Sequence, residues 1–154
     1  EQLGNGVEFW ILGARRLENY LRKRVAELGV ESQVRFLGEQ PNECTRDYYA
    51  VADIVVFPSS AESTSIACLE AMASGLPTVA SDVGGTGEAL QHGVTGLLVP
   101  PRHPARLAEA ILTLAQDEEK RRRMGAKGRE RVRKLFTLER MARQVEQVYE
   151  MLVT

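Results

Sequence analysis

The stretch that decides the fold is residues 53–81, which read DIVVFPSSAESTSIACLEAMASGLPTVAS. An apolar run ends at Pro58, a loop of small and hydroxyl residues follows, and a mostly apolar helical segment begins at Ser65 and stops at Gly75. A second apolar run starts at Pro77. Short apolar strands joined by a helix are typical of a parallel sheet that is covered on both faces.

The same alternation of strand and helix extends outward in both directions. We predict strands at residues 7–12, 34–37, 53–57, 77–81 and 96–99. We predict helices at 17–28, from a cap at Asn42 or Thr45 through Val51, at 65–74 and after 84–87, and then three more with apolar stripes within 107–114, 124–135 and 141–152. With right-handed crossovers this pattern predicts an α/β fold, a Rossmann-like doubly wound parallel sheet, in a single domain over residues 1–154.

Composition restricts the class of protein. The chain has 154 residues, of which 44% are hydrophobic, and its formal net charge is -1, which argues against a nucleic-acid binder held by bulk electrostatics. No apolar run approaches the ~20 residues needed to cross a bilayer, and residues 1–6 lack the pattern of a signal peptide. Cys44 and Cys68 have no metal-binding spacing, so we interpret both as reduced thiols and expect a cytoplasmic protein.

Ligands of such sheets bind beyond the carboxyl ends of the strands, which directs attention to the loop at residues 58–65. Its small residues allow close approach of a ligand, and the first turn of the following helix offers unpaired N–H groups and the positive end of a dipole to a phosphate. Ser63, Thr64 or Ser65 is expected to cap that helix. Capping by itself is an alternative explanation for these hydroxyl residues.

Two carboxylates, Glu62 and Glu70, accompany this loop and helix. Glu70 falls in an otherwise apolar segment, where an ionised carboxylate needs partners, and either sugar or ribose hydroxyls or a local structural partner would serve. A hydrolase pair fits poorly, because eight helical residues rise about 12 Å. Retaining glycosidases need carboxyl groups about 5 Å apart, and inverting ones need at most about 9.5 Å.

Glu62 and Glu70 have the spacing E-x7-E, and the runs around them match a known family in the same order. Those runs are residues 34–38, 52–59, 69–77, 79–88 and 93–99. Together they make the chain resemble the carboxyl-terminal donor-binding domain of retaining GT-B glycosyltransferases of family 4, the glycosyl transferases group 1, over nearly all of its length.

The resemblance implies transfer of a sugar, with retention, from a nucleotide-diphosphate sugar donor, without a metal ion or other cofactor. In the family pattern Glu62 is the catalytic position that faces the transferred sugar, and Glu70 binds the ribose hydroxyls. The remaining donor-binding positions implied are Ser63, Thr64, Ser65 and Ile66 near the sugar and distal phosphate, and Gly38 and Gln40 near the base.

The chain departs from the family pattern at Ser63–Ser65, where the family usually has a glycine and then an aromatic or small residue. A Cβ there can hinder donor binding. Two alternatives to the transferase therefore stay open, a non-catalytic nucleotide or sugar-nucleotide binding module and a sugar-nucleotide epimerase of GT-B fold.

The family domain also begins with one more strand, followed by an Arg and a Lys that hold the diphosphate, and it is preceded by an acceptor-binding domain. With that strand absent, the strands at 7–12 and 53–57 would flank a gap, which direct pairing, another chain or an upstream segment would fill. Residues 138–154 correspond to the helix that crosses back towards the acceptor domain. We expect its stripe at 141–152 to pack either on a neighbouring molecule, as a homo-oligomer, or on the helices before it.

The basic residues at 121–134 are interpreted as a solvated helical face, because glutamates are interleaved with them. The alternative is peripheral contact with the inner face of an anionic membrane. His92 and His103 lie in expected turns and are assigned no catalytic role.

Overall fold

The computed structural model describes residues 6–13, 16–63 and 65–153, which fall into two compact units, Glu1–Tyr48 and Tyr49–Thr154. The elements are β1 (Phe9–Leu12), α1 (Glu18–Glu27), β2 (Val34–Gly38), α2 (Asn42–Val51), β3 (Val55–Phe57), α3 (Ile66–Ala73), β4 (Thr78–Ser81), α4 (Thr86–Ala89), β5 (Gly96–Val99), α5 (Pro104–Ala115), α6 (Glu118–Leu135) and α7 (Leu138–Val153).

The first unit is a parallel pair of strands. β1 and β2 pair from Phe9 opposite Val34 onward, and α1 connects them. The N–H of Gly13, the residue after β1, donates to the carbonyl of Gly38, the last residue of β2, at 2.8 Å. None of the described residues of this unit is buried, so it has no closed core of its own.

The second unit is a parallel sheet in the order β3-β4-β5, and its central strand is covered on both faces. All four residues of β4 are buried. Val79 packs with residues of β5, α5 and α6, including Leu114 and Met124. Ala80, the next residue, packs in a separate cluster with Cys68 and Met72 of α3. Successive side chains of a strand point to opposite faces, so β4 alone supplies both cores.

The predicted α/β fold with parallel strands is confirmed. Three strands are shorter than predicted, since β1 begins at Phe9 rather than at residue 7, β3 at Val55 rather than at residue 53, and β4 at Thr78 rather than at residue 77. β1 belongs to the two-stranded sheet of the first unit, and β3 belongs to the three-stranded sheet of the second unit. What fills the expected gap beside these strands stays a prediction.

The predicted final helix forms as α7, but its apolar stripe does not pack on the preceding helices. Met141, Val145, Val148 and Leu152 are between 47% and 76% exposed, so that expectation is wrong. Packing on a second copy of the chain stays a prediction. No helix in the part of the chain that the structure describes is both long and apolar enough to cross a membrane.

Helix α6 approaches the end of α3 more closely than side chains would allow. A Cβ at Gly125 would lie 1.9 Å from the carbonyl oxygen of Gly75, the residue at φ +83 that ends α3. One turn later, a Cβ at Gly128 would meet Met72 at 3.6 Å, an ordinary contact distance. Gly125 therefore sets the distance between α6 and the α3–β4 turn.

The difference in space at Gly125 and Gly128 predicts that alanine substitutions at these two positions change stability differently. Gly125→Ala should lower the free energy of unfolding by about 1–3 kcal/mol, because the backbone of Gly75 must move. Gly128→Ala, the matched control, should be neutral or stabilising by up to about 1 kcal/mol, since alanine favours the helix. Urea unfolding measures both, and equal changes in the two variants would contradict the packing described here.

A second prediction concerns pH. Burial, and then the negative charge of Glu62, raise the pKa of the Cys68 thiol from its ordinary 9.0 to about 11. Between these two values the unfolded chain releases this proton while the folded chain keeps it, so the free energy of unfolding should fall as pH rises from 9 to 11.

The slope of stability against pH in that window should be smaller in Cys68→Ala than in the unsubstituted chain. Cys44→Ala, which removes the partly buried second thiol, is the comparison. Urea unfolding at several pH values measures the slope. A slope lost in Cys44→Ala and kept in Cys68→Ala would disprove the assignment.

Candidate functional site

The loop that follows β3 ends at a helix cap. The backbone of Ser65 is extended, at φ -83 and ψ 90, and its Oγ accepts a hydrogen bond from the Cys68 N–H at 3.3 Å. Ser65 is buried, and of the three expected capping residues it is the one that caps α3. Thr64 lies outside the described residues. The Ser65 Oγ acts only as an acceptor in this cap.

Glu62 is held in the middle of this loop. The carboxylate is partly buried, and its Oε1 accepts a hydrogen bond from the Ser59 hydroxyl at 2.8 Å. Its charge is close enough to Cys68, in the first turn of α3, to raise the pKa of that thiol further. Glu62 thus lies beside the amino-terminal end of α3.

The turn after β4 packs against the loop that contains Glu62. The N–H of Gly85 donates to the carbonyl of Ser63 at 3.0 Å. A Cβ at Gly84, whose φ is +50, would lie 1.7 Å from the carbonyl oxygen of Glu62. Only glycine allows this approach, so the loops at the carboxyl ends of β3 and β4 are joined at Glu62 and Ser63.

Glu70 is exposed, which corrects the expectation that its carboxylate is surrounded by apolar residues. Its sequence neighbours are apolar, but Cys68 and Met72 lie on the buried side of α3, and a residue midway between them points the other way at 100° per residue. The Glu70 side chain forms no hydrogen bond or ion pair with the described residues. It is therefore available to a ligand.

Tyr49 lies beside Glu70 and is anchored to the same helix. Its hydroxyl donates a hydrogen bond to the carbonyl of Ala67 at 3.2 Å. Burial, together with the charges of Glu70 and Cys68, raises the pKa of Tyr49 to about 12. The hydroxyl is protonated at neutral pH, as an ordinary tyrosine is, and the raised pKa keeps it a donor in more alkaline solution as well.

The predicted site residues are divided between the two units. Glu62, Ser63, Ser65, Ile66 and Glu70 all belong to the loop and helix of the second unit, with Ile66 exposed at the start of α3. Gly38 and Gln40 belong to the first unit. There Gly38 ends β2 at φ +68, and the Gln40 side-chain amide donates to the carbonyl of Leu37.

Two arginines of α6 have structural contacts that the interpretation of a solvated basic face missed. Arg131 donates to the carbonyls of Glu88 and Ala89 at 2.8 and 2.9 Å, and Arg121 donates to those of Leu114 and Ala115 at 2.7 and 2.9 Å. Helical periodicity in the sequence could have indicated these contacts. Arg121 lies three residues before Met124, and Arg131 lies three residues after Gly128, so both are beside the buried stripe of α6.

The histidines also have local structural roles. The Nδ1 of His92 accepts from the N–H of Leu98 at 3.0 Å, and the Nδ1 of His103 accepts from the N–H of Arg106 at the start of α5. Among the described residues, no group of three or more His, Cys, Asp and Glu side chains is arranged to hold a metal ion.

Comparisons with known proteins identify relatives of this chain. The family described as "Glycosyl transferases group 1" matches residues 1–131. D-inositol 3-phosphate glycosyltransferase of Corynebacterium efficiens is 41% identical over 128 residues, which is 83% of this chain and 30% of that protein. N-acetyl-alpha-D-glucosaminyl L-malate synthase of Bacillus anthracis is 38% identical over 81% of this chain and 32% of its own length.

Solved structures agree with the sequence relatives. HepE of Anabaena in complex with UDP is 26% identical and superposes with a TM-score of 0.89 over 97% of this chain and 42% of that one. Sucrose-phosphate synthase of Thermosynechococcus elongatus is 35% identical, with a TM-score of 0.84 over 94% of this chain and 38% of that one. The chain thus spans about a third of the length of its curated relatives, and it belongs to the glycosyl transferases group 1 family, with the fold of the carboxyl-terminal half of GT-B glycosyltransferases.

Proposed function

We propose that this chain is the donor-binding domain of a retaining glycosyltransferase, a hexosyltransferase that moves a sugar from a nucleotide-diphosphate sugar to an acceptor. The arrangement of Glu62 and Glu70 carries the proposal. Glu62 lies in the loop before α3 and is held there by Ser59, whereas Glu70 is the fifth residue of α3, exposed and with no side-chain hydrogen bond to the described residues. An exposed carboxylate can accept from two adjacent hydroxyl groups, as a ribose presents them.

The solved relatives support a nucleotide sugar as the ligand of this chain. The HepE structures contain UDP in one case and UDP-glucose in another, at 26% identity to this chain. The sequence relatives include D-inositol 3-phosphate glycosyltransferase, of which this chain spans less than a third. We therefore assign the nucleotide-sugar donor to this chain, and the acceptor to the part of such proteins that lies outside it.

In the proposed mechanism, the main task of the domain is to stabilise charge on the departing diphosphate. The N–H groups of Ser65 and Ile66 precede the first helical hydrogen bond, and together with the α3 dipole they favour an anion at this end of the helix. Glu70 holds the ribose, and Glu62 faces the transferred sugar. The proposal assigns this stabilisation to the fixed N–H groups and the helix dipole, and it includes neither a metal ion nor a cofactor.

The proposal predicts that one nucleotide diphosphate binds the chain and that Glu70 is required. Calorimetric titration with UDP, GDP and ADP should give millimolar or tighter binding for one of them. Glu70→Ala should weaken it about 10- to 100-fold, because hydrogen bonds to a charged group contribute about 1.5–3 kcal/mol. Glu109→Ala, which removes an exposed glutamate of α5, is the matched control and should bind as the unsubstituted chain does.

A lack of binding to all three nucleotides and to their glucose and mannose conjugates would contradict the donor site. Equal losses in Glu70→Ala and Glu109→Ala would contradict the role of Glu70. Binding of a nucleotide sugar without any transfer to an acceptor by the complete protein would instead favour the non-catalytic binding module.

The close contact at Gly84 predicts a selective effect on the sugar. Gly84→Ala should displace the carbonyl of Glu62, and it should therefore weaken binding of the nucleotide sugar more than binding of the nucleotide diphosphate. Gly93→Ala is the matched control, because Gly93 has φ +76 but nothing within 4 Å of an added Cβ. Both substitutions strain the backbone, and only the first moves the loop.

The measurement is the ratio of the affinities for UDP-glucose and UDP, or for the corresponding pair of the preferred base. The ratio should change in Gly84→Ala and stay constant in Gly93→Ala. The same ratio in Gly84→Ala as in the unsubstituted chain would show that Glu62 does not face the transferred sugar.

A further inference from the structure

Arg131 of α6 closes the carboxyl-terminal end of α4 with two hydrogen bonds. Its Nε donates to the carbonyl of Ala89 at 2.9 Å and its Nη2 donates to the carbonyl of Glu88 at 2.8 Å. Carbonyls at the end of a helix have no intrahelical donor, and the planar fork of a guanidinium fits two adjacent acceptors. The guanidinium also lies 5.8 Å from the centroid of the Phe136 ring, so it is held from the side of α6 as well.

The helix that Arg131 caps is too short to be stable by itself. α4 has four residues, whereas isolated helices shorter than about 12–15 residues are marginal in water. Two of its residues, Thr86 and Ala89, are buried at 2% and 4% exposure. The position of α4 is therefore set by its contacts with the rest of the unit, and the two hydrogen bonds from Arg131 are among them.

The amino-terminal end of α4 contacts the loop that contains Glu62. Gly85 is the N-cap of α4, and its N–H is the donor to the Ser63 carbonyl. Gly84, the residue before the cap, packs against the carbonyl of Glu62 so closely that no Cβ fits. A displacement of α4 would therefore move Glu62 and Ser63.

We propose that Arg131 is a positioning residue, which acts through α4 and the turn at Gly84–Gly85 to hold Glu62 in the geometry that the sugar of the donor requires. This inference rests on the proposed function, because it assigns the consequence of the contact to the donor sugar. The structural part of it, from Arg131 to the Ser63 carbonyl, can be measured without any ligand.

Arg121 offers a matched comparison within the same helix. Its Nη1 donates to the carbonyls of Leu114 and Ala115 at 2.7 and 2.9 Å, so it caps α5 much as Arg131 caps α4. Both arginines are partly buried. The hydrogen bonds of Arg121 go to α5 and to no described residue of the 58–65 loop, so its removal tests the loss of a capping arginine alone.

The experiment compares Arg131→Met and Arg121→Met in the full chain by three measurements. These are thermal stability, the ratio of affinities for the nucleotide sugar and the nucleotide diphosphate, and hydrogen exchange of the Gly85 N–H. Both variants should lose stability. Only Arg131→Met should accelerate exchange at Gly85 and weaken nucleotide-sugar binding relative to nucleotide binding, by roughly three- to tenfold, which is what one weakened hydrogen bond contributes.

Each other outcome overturns a defined part of the inference. Unchanged exchange at Gly85 in Arg131→Met, or an equal acceleration in Arg121→Met, refutes the positioning role. Faster exchange with an unchanged affinity ratio refutes the link to the sugar. If the unsubstituted chain binds no nucleotide, the proposed function fails, while the exchange comparison still decides the role of Arg131. Should Arg131→Met not fold, Arg131→Lys keeps the charge but loses the two-pronged geometry, and the same three measurements apply.

Discussion

The burial of β4 on both faces is the constraint on which the rest of the second unit depends. β3 and β5 occupy its hydrogen-bonding edges, so its side chains must be covered from above and below. α3 covers Ala80 with Cys68 and Met72, and α5 and α6 cover Val79 with Leu114 and Met124. A strand of four residues that supplies two cores tolerates little displacement of any of these helices.

This constraint explains why glycines occur where two backbone segments approach each other most closely. α6 contributes Met124 to one core and Val132 to the other, so it must pass directly over the end of α3, where Gly125 meets the carbonyl of Gly75. At the other end of β4, beyond its carboxyl end, Gly84 meets the carbonyl of Glu62 in the same way. In both places a backbone oxygen occupies the volume that a side chain would need, which makes the contacts rigid.

The site uses the two sides of α3 for different purposes. The buried side carries Cys68, whose pKa is raised by burial so that the thiol stays protonated and uncharged within the core. The exposed side carries Glu70, beside the hydroxyl of Tyr49. The helix is thereby anchored by apolar contacts while its amino-terminal end and one carboxylate remain open to a ligand, an arrangement suited to a nucleotide diphosphate.

The sequence by itself determined the elements, their order and the residues of the loop, because these follow from local chemistry. Apolar runs bounded by Pro58, Gly75 and Pro77 placed β3, α3 and β4 to within two residues, and the choice of capping residue was limited to three neighbours, of which Ser65 is the cap. The spacing of Glu62 and Glu70 is likewise a local property, and the family resemblance depends on such ordered runs.

Only the tertiary structure decided the rest, because it depends on residues far apart in the chain. Apolar sequence neighbours suggested an enclosed carboxylate at Glu70, but the rotation of α3 against β4 leaves that residue exposed. The contact of Gly84 with Glu62 joins two loops, and Arg131 meets α4 more than 40 residues away along the chain. The sequence predicts an apolar stripe on α7, and the structure has one. Whether the preceding helices cover that stripe depends on tertiary packing, which the local pattern does not determine. Periodicity states which side of a helix is apolar, and packing alone determines what that side contacts.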